Sequence, residues 1–210
     1  VKEVDVLRLL ALTETQWEDY RPFVDTALLA CGDWEVPMDA EPLGGAFTIA
    51  AALAERLEQE LTGRILLFPP IPLFHAPLLA VGGDGSQSDC LPTSMWNNFI
   101  QAFVQARRDE AFQHIIIVVS SLELRERFRL CLADEVKQGL VKVWHWHEGE
   151  DLAVMPTQRR ANRNMATFLV HARRKSKEKE INATAEKGKV TIRAYFQQLL
   201  EITHRMWGVE

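Results

Sequence analysis

Arg64 to Pro77 reads RILLFPPIPLFHAP, and this stretch decides the fold. Ile65 to Phe68 is a short apolar run bounded by an arginine and two prolines, the pattern of a buried strand. Proline has no amide hydrogen and pushes the residue before it into extended geometry, so Pro69-Pro70 is expected to break the strand at the rim of a sheet. An apolar loop carrying His75 follows. Ligands collect beyond the carboxyl ends of parallel strands, which makes this stretch the first wall of a candidate crevice.

Immediately upstream, Leu43 to Thr62 predicts a long amphipathic helix. Ile49, Leu53, Leu57 and Leu61 recur every fourth residue, while Glu55, Arg56, Glu58, Gln59 and Glu60 fill the other positions. Gly63 supplies a C-cap directly before the strand. Before the helix, Phe23 to Cys31 (FVDTALLAC) is another short apolar strand, which Gly32-Asp33 ends. Strand, helix and strand in this order form a βαβ unit, so the strands pair in parallel through a right-handed crossover. Asp25 breaks the apolar pattern and is expected at an edge or a turn. Further upstream, Thr13 is an N-cap for a short helix, Glu14 to Tyr20, stopped by Pro22.

Downstream the alternation continues. Thr93 or Ser94 caps a helix running to about Phe112, with Trp96, Phe99, Ile100, Phe103 and Val104 turned inward. His114 to Ser120 (HIIIVVS) is continuous and β-branched, as central parallel strands are. Leu122 to Gln138 is a helix closed by Gly139, and Leu140 to His147 (LVKVWHWH) is the last strand. The expected fold class is α/β: three layers around a mostly parallel sheet of about four or more strands, with a helical C-terminal extension. Residues 1–150 form the α/β domain, Rossmann-like in layout, and 151–210 the extension. The extension holds helical segments near Thr157 to Ala172 and Lys189 to Trp207, separated by the charged run Arg173 to Lys189. Ile192, Phe196, Leu199, Thr203 and Met206 make an apolar stripe, so the C-terminal helices are expected to pack on the domain, a protein partner or a second copy.

Composition narrows the function classes. The chain has 210 residues, a net charge of −5, 47% hydrophobic and 25% charged residues, which describes a globular protein and not a general nucleic-acid binder. Cys31, Cys90 and Cys131 are odd in number and lack C-x-x-C spacing, which fits thiols in a reducing compartment. Without a signal-peptide pattern or an apolar run of spanning length, a cytoplasmic location is expected. Gly82 to Asp89 (GGDGSQSD) matches no phosphate-binding fingerprint and reads as a connection.

Chemistry, if present, belongs at the strand ends. The strands deliver Asp33, Glu35 and Asp39, then His75, then Ser120, Ser121 and Glu123, a set that could hold a metal or a general acid–base pair. The structural alternative is that Ser120 or Ser121 caps the next helix, with Glu123 in its first turn. His145 and His147 share one face of the last strand and could ligate one divalent metal; equally, Trp144 and Trp146 could be the buried face and the histidines the wet side. No other cofactor is indicated.

Two family resemblances bear on this. WEDYRPFVDTALLACG, LAERLEQELTGR and ILLFPPIPLF resemble the YpiF-type domain-of-unknown-function family of Bacillus-like bacteria, which implies a cytoplasmic protein without an assigned activity. The layout is also similar to the creatininase-type metal amidohydrolases. That family has a strand ending in a Glu-x-His-Gly ligand motif, an Asp, a helix, a proline-rich turn and a central strand ending in a His-Gly-Gly motif. The order is kept here in FVDTALLAC, Asp33-Trp34-Glu35, Asp39, LLFPPIPLFH and HIIIVVSS, but Ser120-Ser121-Leu122-Glu123 stands in place of the histidine motif. The resemblance therefore implies a relative that lost its dinuclear metal site. Two functions follow: a non-catalytic protein acting through protein contacts, or an atypical metal-dependent hydrolase.

Overall fold

The computed structural model describes residues 7–33, 45–73, 93–146 and 179–209, with the backbone alone at 33, 73, 93 and 179–191. Glu35, Asp39, His75, His147, the Gly82 to Asp89 stretch and the helical segment near Thr157 to Ala172 lie outside the described residues.

Five strands form one parallel sheet: β1 (Thr26–Asp33), β2 (Ile65–Leu67), β3 (Ile71–Leu73), β4 (His114–Val119) and β5 (Val141–Trp144). The order is β2-β1-β4-β5, with β3 also on β1. The helices are α1 (Glu14–Tyr20), α2 (Gly45–Glu60), α3 (Thr93–Asp109), α4 (Leu122–Cys131), α5 (Ala133–Lys137) and α6 (Lys179–Met206). Helix α1 starts at a full capping box: the Thr13 hydroxyl accepts the Gln16 N–H, and Gln16 Oε1 accepts the Thr13 N–H at 2.9 Å.

The proline stretch departs from expectation. Pro69-Pro70 interrupts the strand without ending it. Leu28 of β1 pairs with Leu67, and Cys31 pairs with Ile71, so two residues of β1 face three of its neighbour. The extra residue is a bulge, which lets the prolines sit where no ladder N–H is required. The strand then resumes, with Pro72 opposite Gly32 and Leu73 opposite Asp33. The rim of the sheet thus lies at Leu73 and not at Pro69.

Two other boundaries shift. The single helix expected over Leu122 to Gln138 is kinked at Leu132 (φ −116°, ψ 29°), which divides α4 from α5. Hydrogen bonds still cross the kink, from Leu132 N–H to Phe128 C=O and from Val136 N–H to Leu132 C=O. Leu132 itself is buried in the core. The last strand ends at Trp144, earlier than the alternation of LVKVWHWH suggests.

Strand periodicity sorts the core into two layers. Ala27, Leu29, Cys31, Ile115, Ile117 and Val119 face α1, α3 and α4, where Phe68, Phe112, Leu124 and Phe128 close the layer. Leu28, Ala30, Ile116, Val118 and Trp144 face α2 and α6, against Ile49, Leu53, Leu57, Phe196 and Leu199. Fully burying one such aliphatic side chain contributes on the order of 1.5–3 kcal/mol. Helix α6 is therefore part of the second layer, and its stripe of Phe196, Leu199 and Thr203 is buried against its own chain.

A polar clasp at the amino ends of the strands fastens α6. Asp25 Oδ2 accepts from Arg64 Nε at 2.8 Å and Nη2 at 2.7 Å. Thr26 Oγ1 donates to Asp25 Oδ1 at 2.7 Å and accepts from Trp207 Nε1 at 2.8 Å. The Arg64 guanidinium lies 4.0 Å from the centre of the Trp207 ring. Asp25, out of pattern in the sequence, is the hub of this network. The edge of the sheet is tied differently: Leu7 C=O accepts from Leu67 N–H, and Leu7 N–H donates to the buried Glu58 Oε1 at 2.6 Å. Burial holds the Glu58 carboxyl above its ordinary range; Arg8 opposes the shift and Glu55 adds to it.

Two outcomes follow from these ties. Replacing Trp207→Leu removes a hydrogen bond and a cation–π contact, and should lower unfolding free energy by about 1–3 kcal/mol in denaturant titrations. For Glu58 the raised folded pKa means that its contribution is complete below the unfolded value of 4.5 and is lost as pH rises through the folded value. Glu58→Gln should therefore match wild type in Tm at low pH and exceed it increasingly toward neutrality, as read by melting curves across pH.

Candidate functional site

The carboxyl rim of the sheet is built by register. β1 extends to Asp33, which pairs with Leu73, while Cys31 pairs with Val119 and Val118 with Trp144. The backbone of Asp33, Ser120-Ser121 and His145 thereby reaches one edge of the sheet, as the crossover rule for parallel strands requires. Of the crevice expected from the sequence, the described residues are Asp33 (backbone only), Ser120, Ser121 and Glu123; His145 belongs to the separate histidine pair.

Several contacts described at this rim are local to the fold. Ser120 is buried, and its N–H donates to Cys31 C=O at 3.1 Å, extending the β1–β4 ladder by one step. Ser121 is the N-cap of α4: its Oγ accepts the Leu124 N–H at 3.2 Å, and its backbone is extended (φ −140°, ψ 154°) as a cap requires. Glu123 stands in the first turn of α4, beside the positive end of the helix dipole, and pairs with Arg127 one turn on at 3.0 Å. Its side chain is 71% exposed, so it faces solvent and not a closed site.

The first strand end is covered as well. A Cβ built on Gly32 would stand 2.7 Å from Cδ2 and 2.8 Å from Cβ of Phe47. The first turn of α2 therefore lies directly on the end of β1, and only glycine permits that approach. Phe47 was not singled out by pattern. Its partner lies fifteen residues upstream, and a glycine ending a strand reads as a turn signal before it reads as a packing site.

His145 corrects one expectation. It is fully buried, with its ring centre 4.1 Å from that of Trp146, and Trp144 and Trp146 are buried too. The histidine is not the wet side of a strand. Both faces of the sheet are covered, and β5 ends before the alternation could carry His145 to solvent. Among the described residues no three His, Cys, Asp or Glu side chains group closely enough to hold a metal ion. Cys31 is buried, and burial, with Glu135 nearby, raises the Cys131 pKa, which disfavours the nucleophilic thiolate.

Two cavities bounded by described residues lie away from the rim. One, of about 240 Å³, sits between α2 and α6 and is lined by Ile49, Leu53, Ile192, Glu55, Arg56 and Gln59. The other, of about 290 Å³, lies between β5 and α6. Neither was visible in the sequence, because each combines residues from elements far apart in the chain.

No family model matches the chain, and no curated protein matches it in sequence. The YpiF-type resemblance thus gains no support from these comparisons. Solved structures do match. A creatinine amidohydrolase (creatininase) superposes with a TM-score of 0.65 at 12% identity, covering 96% of this chain and 98% of that one. A manganese creatininase gives 0.61 at 13% identity, with 95% and 98% covered. A mutant creatininase of Zn-Zn type also gives 0.61 at 13% identity, with 95% and 97% covered. At such identities the likeness concerns architecture, and over nearly its whole length this chain has the creatininase fold.

Proposed function

We propose that this chain uses the creatininase fold as a non-catalytic scaffold that acts through protein contacts in the cytoplasm. The observation that carries the reading is the end of the central strand β4. Two of its polar side chains make local contacts: Ser121 caps α4, and Glu123 is paired with Arg127 at the surface. Serine hydroxyls are poor ligands for zinc, which takes imidazole, thiolate and carboxylate. The described donors therefore do not fit a dinuclear metal centre, and no reaction step is derived through one. Packing of Phe47 on Gly32 supports the same reading by narrowing the space above β1.

Contacts with a protein partner or a second copy are supported by apolar side chains left at the surface. Met95 and Phe99 stand one turn apart on α3 at 52% and 37% exposure. An association through the C-terminal helices would have to use a face of α6 other than Phe196, Leu199 and Thr203, which are buried. The cytoplasmic location rests on the odd number of cysteines without C-x-x-C spacing, which suits a reducing compartment.

The second reading, an atypical metal-dependent hydrolase, is favoured by the near-complete overlap with zinc and manganese creatininases. Its site would combine Asp33, Glu35, Asp39 and His75 with Ser120, Ser121 and Glu123, and a separate metal pair would use His145 and His147.

Metal analysis of protein purified without a histidine tag separates the two. The scaffold reading expects zinc and manganese well below one per chain and no hydrolysis of creatinine above the buffer rate. Stoichiometric metal that disappears in Glu35→Gln or His75→Ala would overturn it. The capping role of Ser121 has its own measure: Ser121→Ala should destabilise the protein by about 1 kcal/mol, while Ser121→Asp should restore most of the loss.

A further inference from the structure

The edge of the sheet beside β2 is closed by a short segment, and the closure rests on one carboxyl group. Leu7 and Arg8 run along β2, with Arg8 joined to Leu67 by an isolated parallel bridge. Leu7 C=O accepts from Leu67 N–H at 3.0 Å, and Leu7 N–H donates to Glu58 Oε1 at 2.6 Å. The Leu7 side chain is completely buried, in the layer that holds Leu66 and Phe68. One bridge is a light hold compared with the ladder of β1 and β4, which is continuous from Thr26 to Cys31.

Glu58 is an unusual anchor for such a segment. It stands on α2 and is completely buried. Its Oε1 is bonded to Leu7, while Oε2, sealed from solvent, meets no hydrogen-bond partner among the described residues. A buried carboxylate persists only where donors surround it, so with one oxygen bare the neutral acid costs less. Two charges act on the group: Arg8, from the segment, favours the anion, and Glu55, one turn earlier on α2, opposes it. The Arg8 guanidinium is turned to Glu55, with Nη1 3.7 Å from Oε1. β1, β2 and α6 meet α2 in an apolar layer, through Leu28, Ala30, Ile65, Leu67, Phe196 and Leu199. Burial is the largest influence, and it holds the carboxyl above its ordinary value.

We propose that Glu58 is a proton-operated latch on the edge of the sheet: the neutral acid seats Leu7 and Arg8 on β2, and the carboxylate releases them. Release returns the carboxylate to water, frees Leu67 N–H and empties the seat of Leu7, while β1 and β4 stay paired. An edge freed in this way can accept another strand. In the released state the carboxyl titrates near 4.5, and in the seated state above it. Seating is therefore firmest below 4.5, weakens as pH rises from there to the seated value, and is constant beyond it. Within that window each opening releases one proton, so the opening equilibrium rises by about tenfold per pH unit. The latch is remote from the carboxyl rim and does not depend on whether the rim holds a metal.

The test follows amide exchange in the full-length, 15N-labelled chain from pH 4.5 to neutrality, each rate being divided by that of an unstructured amide at the same pH. The Leu67 amide is expected to be less protected than those of Ile116 and Ile117 in β4, and to lose protection by about tenfold per pH unit before levelling off. In Glu58→Gln the loss with pH should vanish, because the amide keeps an acceptor for Leu7 N–H and cannot ionise. Should Glu58→Gln fail to fold, the 13C resonance of the Glu58 carboxyl in wild type gives the comparison: its midpoint should lie above 4.5, within the range where Leu67 loses protection. Protection of Leu67 equal to that of Ile116 and Ile117 at every pH, the same pH profile in Glu58→Gln, or a carboxyl midpoint at or below 4.5 would overturn the latch.

Discussion

A parallel sheet built of aliphatic residues cannot leave either face in water. β1 and β4 are dry on both sides: Leu28, Leu29, Ile115, Ile116, Ile117 and Val118 are all completely buried, although they alternate between two layers. Burial of each layer requires a cover of matching apolar area, because the hydrophobic contribution scales with the area removed from water. α1, α3 and α4 supply one cover, and α2 with α6 the other. The last helix is thus demanded by the second face of the sheet, where Phe196 and Leu199 share a buried layer with Trp144.

The two ends of the sheet are finished in different ways. At the amino ends, Asp25, Thr26, Arg64 and Trp207 form a connected network in which the carboxylate and the hydroxyl each serve two partners. Such a network orients α6 against the sheet, which dispersion contacts alone do poorly because they lack direction. At the carboxyl ends, where open α/β folds place their ligands, the described groups turn back onto the fold. Ser120 lengthens the ladder, Ser121 caps a helix, and Phe47 rests on Gly32.

The creatininase likeness at 12–13% identity shows which features of such a fold are tolerant. Layer-forming positions accept any aliphatic side chain of suitable volume, so sequences drift while the architecture persists. Ligand positions tolerate no such drift, because metal coordination depends on the identity and geometry of each donor. A chain can therefore keep the architecture at an identity as low as this whatever its ligand positions hold.

Much of the architecture was legible in local pattern. The β-branched run of β4, the i+4 spacing of Ile49, Leu53 and Leu57, and the caps at Thr13 and Ser121 depend on neighbours within a few residues, and all appear where pattern places them. The parallel sheet and its helical layers follow from those elements. Tertiary structure alone decided the rest. Pro69-Pro70 reads locally as a strand end, yet β1 offers a further stretch of ladder and the chain rejoins it at Ile71 after a bulge. His145 reads as solvent-facing by alternation, yet it is enclosed because the sheet is covered on both sides. Asp25 becomes a hub only when Arg64 and Trp207 arrive from 39 and 181–182 positions away. The cavity of Lys142, Trp144 and Arg205 likewise exists only once α6 is laid beside β5. Local sequence determined the elements, whose forces act over one or two turns; long-range packing decided which polar groups meet, and those meetings define the sites.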